Sequence, residues 1–242
     1  MHSLIVYAHP EPTSFSAALK DSARRTLTAA GLTVEVSDLY AEGFNPVPGR
    51  HDFTGVADPA RFHYQSEQLH AARTSGFSAE LAREQARLAR ADLLVFIFPL
   101  WWGGLPAILK GWFDRVCAYG VAYADGKRFD QGYFVGRRTV LALSTGGTAE
   151  RFSAGGTYGD IRQVLYSVDR CILSYLGLEV MEPFVAYAAP RVDDAARADY
   201  LRQWEARLND IVSDAAWQAR LQARATNTPG AEVEDKAWSS RH

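Results

Sequence analysis

The sequence of 242 residues is poor in cysteine and carries no surplus of charge of one sign. Its two cysteines, Cys117 and Cys171, lie far apart without a C-x-x-C partner, so we expect two reduced core residues rather than a redox or metal pair. The 28 acidic and 26 basic residues give a net charge of −2 and leave no basic stripe for a phosphate backbone. Nucleic acid is therefore not an expected partner.

Long apolar runs and metal-ligand spacings are also missing. No apolar segment approaches the roughly 20 residues that span a bilayer, and the short run after Met1 does not have the form of a signal peptide. We therefore expect a cytoplasmic protein without stable membrane insertion. Five histidines lie in polar stretches without a spacing such as H-E-x-x-H, so no metal site is expected: His2, His51, His63, His70 and His242.

Two further motifs are absent, and each absence removes a class of function. Without G-x-S-x-G there is no support for serine hydrolase chemistry. Without G-x-G-x-x-G there is none for a dinucleotide lying on a Rossmann turn.

What the chain does have is a regular alternation of apolar runs and helical patterns. Runs typical of buried strands lie at residues 4–8, 33–36, 93–98, 139–143 and 179–184. Helical spacing or helix signals lie at residues 15–27, 79–89, 105–116 and 159–176, and from about 193 onward with a break near 213–214. Residues 40–77 show no sustained periodicity and predict a long excursion packed over the domain, and residues 121–134 predict a loop or irregular hairpin.

Strands that alternate with helices predict an α/β fold, because right-handed crossovers place helices on both faces of a parallel sheet. We expect a doubly wound sheet of five parallel strands in a single domain over residues 1–224. Residues 225–242 lack core residues and predict a flexible tail.

Ligands of such sheets bind at the carboxyl ends of the strands, which selects the loops at residues 9–16, 99–104 and 144–147. The first places hydroxyl side chains at a helix N-terminus, where a phosphate would be stabilised, although Thr13 and Ser14 could equally do no more than cap the helix. The second contains the adjacent Trp101 and Trp102. One of them is expected to pack into the core and the other to meet a planar ligand.

The third loop, residues 144–147, offers hydroxyls and unobstructed backbone amides. Such donors can stabilise negative charge that accumulates on a ring system during reduction. A simple glycine-rich turn is the alternative interpretation, and the position at the end of a strand favours ligand contact.

Together these segments resemble the flavodoxin-like NAD(P)H:quinone oxidoreductases, both the animal quinone reductases and their bacterial relatives. The resemblance covers roughly residues 3 to 215 and is most specific over residues 106–116. Its motifs are LIVYAH at 4–9, TSF at 13–15, SDLY at 37–40, FNP at 44–46, FPLWWG at 98–103, PAILKGWFDRV at 106–116, TGG at 145–147 and GD at 159–160.

The resemblance implies a flavodoxin-like fold, a homodimer, and a tightly held flavin that is FAD rather than FMN. It assigns a group of residues to the phosphates and ribityl chain: His9, Ser14, Phe15, Ser16 and Ala18. It assigns two further groups to the isoalloxazine ring and its edge: Pro99, Leu100, Trp101, Trp102 and Gly103, and Ser144, Thr145, Gly146 and Gly147. Asp114, where glutamate is usual, and Arg197 match positions near the adenosine.

The chain departs from the family pattern at the residues that would do the chemistry. Animal members have a tyrosine and a histidine proposed to relay charge, and this sequence has Phe152 and Tyr158 instead. Tyrosine can donate a hydrogen bond but cannot carry a positive charge as histidine can. Of two tyrosines that family members contribute across the dimer interface to cover the substrate, Tyr123 matches one and Asp125 replaces the other.

The resemblance thus implies two-electron reduction of a quinone by NAD(P)H in a ping-pong cycle. The catalytic residues are then expected to be Gly146, Gly147, Phe152 and Tyr158, and the substrate is expected to meet Trp102, Tyr123, Asp125, Phe152 and Tyr158. Two alternatives stay open: an azo- or nitroreductase that uses the same pocket, and a regulatory flavoprotein that docks on a membrane transporter.

Overall fold

The computed structural model describes residues 1–223, so the predicted tail lies outside the described residues. Its strands all pair in parallel, in the order β2-β1-β3-β4-β5, with β6 also pairing with β4. Their bounds are β1 His2–Tyr7, β2 Thr33–Asp38, β3 Leu93–Pro99, β4 Arg138–Ser144, β5 Glu179–Val180 and β6 Phe184–Ala186. This is the strand order of a flavodoxin-like sheet, and the predicted fold class is confirmed.

The α-helices of the described residues are α1 Phe15–Ala29, α2 Tyr64–Thr74, α3 Ala79–Arg90, α4 Ala107–Val116, α5 Ile161–Val164, α6 Tyr166–Val168, α7 Asp194–Ser213 and α8 Ala215–Ala223. Three short 3₁₀ turns lie at Arg50–Asp52, Phe129–Gln131 and Glu150–Phe152, and a π-helical turn spans Asp169–Leu173. None of the helices in residues 1–223 is long and apolar enough to cross a membrane.

Both faces of the sheet are covered, which explains why its central strands are continuously apolar. Alternate residues of β1 and β3 enter opposite cores: Leu4 and Phe96 pack on the side of α3 and α4, whereas Ile5 and Val95 pack on the side of α1 and α7. Three buried tryptophans fill these cores and satisfy their indole N–H groups, for example Trp204, which donates to the Leu19 carbonyl over 3.1 Å.

Helix boundaries follow the expected capping chemistry. Ser14 is the N-cap of α1 and accepts from the Ala17 N–H over 3.1 Å, and Gly31 follows the helix with φ of 86°, the left-handed conformation that commonly ends a helix. Asp193 caps α7, and the predicted break falls at Asp214, whose carboxylate accepts from the first N–H groups of α8.

The excursion predicted at residues 40–77 contains a helix, α2, which the sequence pattern did not indicate. Its side chains that face the protein include Glu67 and Gln68. Since these buried positions are polar, the helix carries no apolar periodicity. Glu67 is satisfied by the N–H of Ala57 over 2.8 Å, and Gln68 accepts from the N–H of Tyr119 over 3.1 Å.

The predicted helix at residues 159–176 is interrupted, and the fifth strand is split into β5 and β6. Buried Val168 and Leu173 lie five residues apart, which is the spacing of the π-helical turn between them. Cys171 falls on the solvent side of this wide turn and is exposed, so the prediction that both cysteines are core residues is wrong for Cys171 and confirmed for Cys117.

Candidate functional site

The carboxyl ends of β1, β3 and β4 bring the three predicted loops together, with the reversal of strand order between β1 and β3. Ser16 Oγ lies 3.2 Å from Ser144 Oγ, which joins the first loop to the third. The Leu100 N–H donates to the Ser144 carbonyl over 2.9 Å, and the rings of His9 and Trp101 lie 6.1 Å apart. Residues assigned from distant parts of the chain therefore share one site.

The N-terminus of α1 offers unused hydrogen-bond donors to this site. Within the described residues, the N–H groups of Phe15 and Ser16 have no acceptor, as expected for the first turn of a helix. Together with the positive end of the helix dipole they can stabilise a phosphate. Ala18, half-buried, lies in the same first turn and donates to the Ser14 carbonyl over 3.1 Å.

His9 borders the same loop, and its ring nitrogen Nδ1 accepts from the Glu11 N–H over 3.0 Å. Burial lowers the pKa of His9 below its ordinary value of 6.5, because the charged imidazolium is less well solvated there. At pH 7 the side chain is therefore neutral. It can offer one donor and one acceptor, rather than a positive charge, to a bound group.

The tryptophan pair lies in a tight turn rather than an extended loop. Trp101 and Gly104 exchange N–H···O bonds of 3.2 and 3.0 Å, and the two central residues, Trp102 and Gly103, have φ of 52° and 69°. The left-handed conformation is unusual for a bulky side chain and is typical of functional sites. Trp101 is 41% exposed and Trp102 fully exposed, so the prediction that one tryptophan packs into the core is wrong.

The glycine-rich loop after β4 is fixed from two sides. The Thr145 hydroxyl donates to the Gly147 carbonyl over 2.7 Å, and the N–H of Ala188 donates to the same carbonyl over 2.8 Å. The N–H groups of Gly146 and Gly147 have no acceptor among the described residues. The loop therefore presents two free backbone donors in a rigid frame.

Aromatic rings pack directly on this loop. A Cβ added to Gly147 would lie 2.8 Å from the Phe152 ring and 3.2 Å from the Tyr158 ring, so any larger residue would force a ring to move. The two rings are themselves 4.9 Å apart, and Phe152 is buried whereas Tyr158 is 52% exposed. Phe152 thus forms a wall of the site, and the Tyr158 ring lies at its open side.

The tryptophan turn, the glycine-rich loop and the aromatic rings line a cavity of about 430 Å³. Its lining residues are Leu100, Trp102, Gly103, Thr145, Gly146, Gly147, Arg151, Phe152, Tyr158, Val164 and Arg191. The motifs did not indicate Arg151, Val164 or Arg191. Arg191 donates to the Gly146 carbonyl, a contact between residues 45 positions apart for which the sequence contains no signal.

Several predicted site residues lie elsewhere. Tyr123 and Asp114 line a second cavity of about 630 Å³, which shares no lining residue with the first. Asp114 is paired with Lys110 over 2.6 Å, and Asp125 with Arg128 over 2.6 Å.

Arg197, the other predicted adenosine contact, pairs with Asp194 over 2.7 Å and donates to the Ala189 carbonyl over 3.2 Å. It lies one turn from Tyr200, whose ring is 6.3 Å from Phe15. Among residues 1–223 no cluster of three or more histidine, cysteine, aspartate or glutamate side chains could hold a metal ion.

Comparison with known proteins places this geometry in a family. A family model described as flavodoxin-like fold matches residues 1–208. NAD(P)H dehydrogenase [quinone] 1 of Cavia porcellus is 40% identical over 210 residues, covering 86% of this chain and 76% of the relative. Ribosyldihydronicotinamide dehydrogenase [quinone] of Pongo abelii is 39% identical over 209 residues, covering 86% and 90%.

Solved structures agree with this placement. A Klebsiella pneumoniae structure assigned as a quinone reductase superposes with a TM-score of 0.84 at 37% identity, covering 88% of this chain and 85% of the other. The NAD(P)H:quinone oxidoreductase of Methanothermobacter marburgensis superposes with a TM-score of 0.69 at 30% identity, covering 88% and 97%. The chain therefore belongs to the flavodoxin-like family that contains the NAD(P)H dehydrogenases [quinone].

Proposed function

We propose that this protein binds a flavin and uses it to reduce quinones with electrons from NAD(P)H in a ping-pong cycle. One observation carries the proposal: the tryptophan turn and the Gly146–Gly147 amides line one cavity, and the N-terminus of α1 lies against the same loops through Ser16, whose Oγ is 3.2 Å from Ser144 Oγ. The named relatives, 40% and 39% identical, are quinone dehydrogenases, which supports the same activity here.

The donors of the site fit a flavin. The free N–H groups of Phe15 and Ser16 suit its phosphates, with Ser14, Ala18 and His9 beside them. The free N–H groups of Gly146 and Gly147 suit the polar edge of a ring system, and the bare backbone of Gly103 lets such a ring approach closely. The remaining predicted contacts surround these donors: Pro99, Leu100, Trp101, Trp102, Ser144 and Thr145. When bound, the flavin supplies the hydride acceptor and donor that the side chains lack.

The residues of the chain would orient the reactants and stabilise charge. The amides of Gly146 and Gly147 would hold negative charge that develops during reduction, in a frame that needs no rearrangement. Trp102 and Phe152 would exclude water from the cavity, and the Tyr158 hydroxyl would donate a hydrogen bond from the open side.

We further propose FAD rather than FMN, and a homodimer as the active form. Tyr123 and Asp114 line a different cavity from the one that the loops line, so neither residue reaches that cavity within its own chain. A second copy would supply Tyr123, Asp125 and Asp114 to the first. Arg197 would reach the adenosine from the same chain, since it lies one turn from Tyr200, whose ring is 6.3 Å from Phe15 at the start of α1.

Two measurements test the cofactor and the dimer. The first is the absorbance spectrum of the purified protein, with mass identification of the released cofactor and titration with NADPH and then a quinone. FAD that is bleached and restored supports the proposal, FMN contradicts the adenosine contacts, and the absence of flavin refutes the function. The second is the molar mass in solution by light scattering, where a monomer that turns over quinones refutes the dimer.

The alternatives differ in acceptor or partner rather than in the site. Quinone, azo dye and nitroaromatic turnover measured on one preparation separates quinone reduction from the azo- or nitroreductase activity. A transporter-docking role predicts two results: a membrane transporter is recovered in a pull-down, and the purified protein shows little quinone turnover. No contact in the described residues favours either alternative.

A further inference from the structure

The cavity of about 430 Å³ contains positive charge that the flavin-binding motifs do not account for. Arg151 and Arg191 both line it, beside the Gly146–Gly147 backbone and the Phe152 and Tyr158 rings. No aspartate or glutamate is among its lining residues. The open part of the candidate site is therefore cationic as well as aromatic.

Neither arginine is neutralised by a carboxylate in the part of the chain that the structure describes. Arg191 donates to the Gly146 carbonyl, and the Arg151 side chain makes no ion pair. Some exposed arginines are paired instead: Arg162 with Glu182 over 2.9 Å and Arg202 with Asp199 over 2.8 Å. The two cavity arginines thus keep charge that a bound anion could use.

The backbone at each arginine is anchored to the glycine-rich loop or to the ring wall. Arg151 belongs to the 3₁₀ turn Glu150–Phe152, directly before the Phe152 ring that packs on Gly147. The Arg191 N–H donates over 2.7 Å to the carbonyl of Ala188, and the N–H of Ala188 donates to the Gly147 carbonyl. Both arginine side chains therefore extend from backbone positions that are fixed relative to the same loop.

We propose that Arg151 and Arg191 form an anion-recognition pair for ring ligands that carry a carboxylate, sulfonate or phosphate group. The planar guanidinium fork matches the oxygens of these groups, and adjacent aromatic walls suit a flat ring. This inference rests on the proposed function and deepens it. The anion belongs either to the quinone acceptor or to the phosphates of the nicotinamide donor.

The variants are Arg151→Gln and Arg191→Gln, singly and together, because glutamine removes the charge and keeps a polar side chain. Arg202→Gln is the matched control, since it removes the same charge from an exposed part of α7 outside the cavity. The acceptors are 9,10-anthraquinone-2-sulfonate and its neutral counterpart 2-(hydroxymethyl)anthraquinone. The donors are NADPH and reduced nicotinamide riboside, which has no phosphate.

In a ping-pong cycle kcat/KM for one substrate does not depend on the other, so donor and acceptor effects separate. Each single substitution is expected to lower kcat/KM about 10-fold more for the anionic member of one substrate pair than for its neutral member. A loss confined to the sulfonated quinone assigns the anion to the acceptor, and a loss confined to NADPH assigns it to the donor. Added salt is expected to reduce the difference in kcat/KM between the parent and the variant for the anionic substrate.

Equal losses with all four substrates, or none beyond the Arg202→Gln control, would overturn the proposal. Calorimetric titration of the purified protein with the sulfonated and the hydroxymethyl anthraquinone measures the contribution of Arg151 and Arg191 to binding without turnover. A protein that binds the sulfonate in an arginine-dependent way and reduces neither quinone would refute the proposed function alone. A protein that reduces both, with all ratios unaffected by the substitutions, would refute the anion pair alone.

Discussion

Replacing Gly147 with alanine is a direct test of how tightly the aromatic wall is packed on the glycine-rich loop. The new Cβ would lie 2.8 Å from Phe152 Cε2 and 3.2 Å from Tyr158 Cε2. Ordinary carbon contacts begin near 3.5 Å, so the nearer ring must move by about 0.7 Å. Phe152 cannot do so freely, because it is buried and packs against the rings of Tyr158 and Tyr187 at centroid distances of 4.9 and 6.0 Å.

Such overpacking costs about 1–3 kcal/mol of unfolding free energy. Gly146→Ala is the matched control, because its Cβ would meet only the Arg191 side chain, at 3.8 Å. We expect urea unfolding of the flavin-free protein to show Gly147→Ala less stable by about 2 kcal/mol. For an m-value of about 3 kcal/mol/M this is a midpoint shift of about 0.7 M. Gly146→Ala should stay close to the parent.

A second substitution makes the test stricter. Phe152→Leu shortens the ring that the new Cβ meets, so Gly147→Ala should cost less in that background, and the double-variant cycle should be non-additive by about 1 kcal/mol. Equal destabilisation by the two alanine variants, or strict additivity with Phe152→Leu, would refute the steric reasoning.

Three further outcomes are expected. Tyr158→Phe removes only the hydroxyl and should lower kcat for quinone reduction about 10-fold while leaving flavin content unchanged, and an unchanged kcat would remove Tyr158 from catalysis. Arg115→Met removes the cationic partner of the fully buried Asp52 carboxylate, which accepts from the guanidinium over 2.6 Å. It should lower the free energy of unfolding in urea by about 3–5 kcal/mol, and Arg115→Lys should lower it by less. The folded-state pKa of His9 lies below 6.5, so the folded state disfavours protonated His9. The stability that comes from neutral His9 is complete above pH 6.5 and is lost as the pH falls through the lowered pKa. His9→Gln should therefore lose less stability than the parent between pH 7.5 and pH 5, and parallel pH profiles would contradict this.

The sheet could be predicted from the sequence because burial on both faces makes its inner strands continuous apolar runs. The bounds of β3 and β4 differ from the predicted runs by only a residue or so at each end. Helix α2 could not be predicted in the same way, since it buries Glu67 and Gln68 through hydrogen bonds instead of apolar contact. Periodicity records hydrophobic burial, and it does not record satisfied polar burial.

The site was predictable to the level of loops but not to the level of side chains. Strand ends select three loops, and their meeting follows from the sheet order. The orientation of Trp102 depends on its left-handed backbone conformation, and two adjacent tryptophans in the sequence do not predict that conformation. Arg191 reaches the cavity through a hydrogen bond to the Gly146 carbonyl, 45 positions away, and Arg151 reaches it from the 3₁₀ turn Glu150–Phe152. Neither placement leaves a local pattern in the sequence.

The charge in the cavity leads to a last prediction, on pH. Tyr158 stands where the family resemblance places a histidine, and the positive charge of the cavity comes instead from Arg151 and Arg191. Arginine stays protonated throughout the physiological range, whereas a histidine would titrate within it. No carboxylate lines the cavity, and the pKa of His9 lies below 6.5. We therefore expect kcat for quinone reduction to be constant between pH 6.5 and 8.5. Tyr158→His should introduce a titration near pH 6–7 into a stopped-flow profile of quinone reduction. A parent enzyme that already titrates there would show that another group carries the proton, and would exclude this account of the cavity charge.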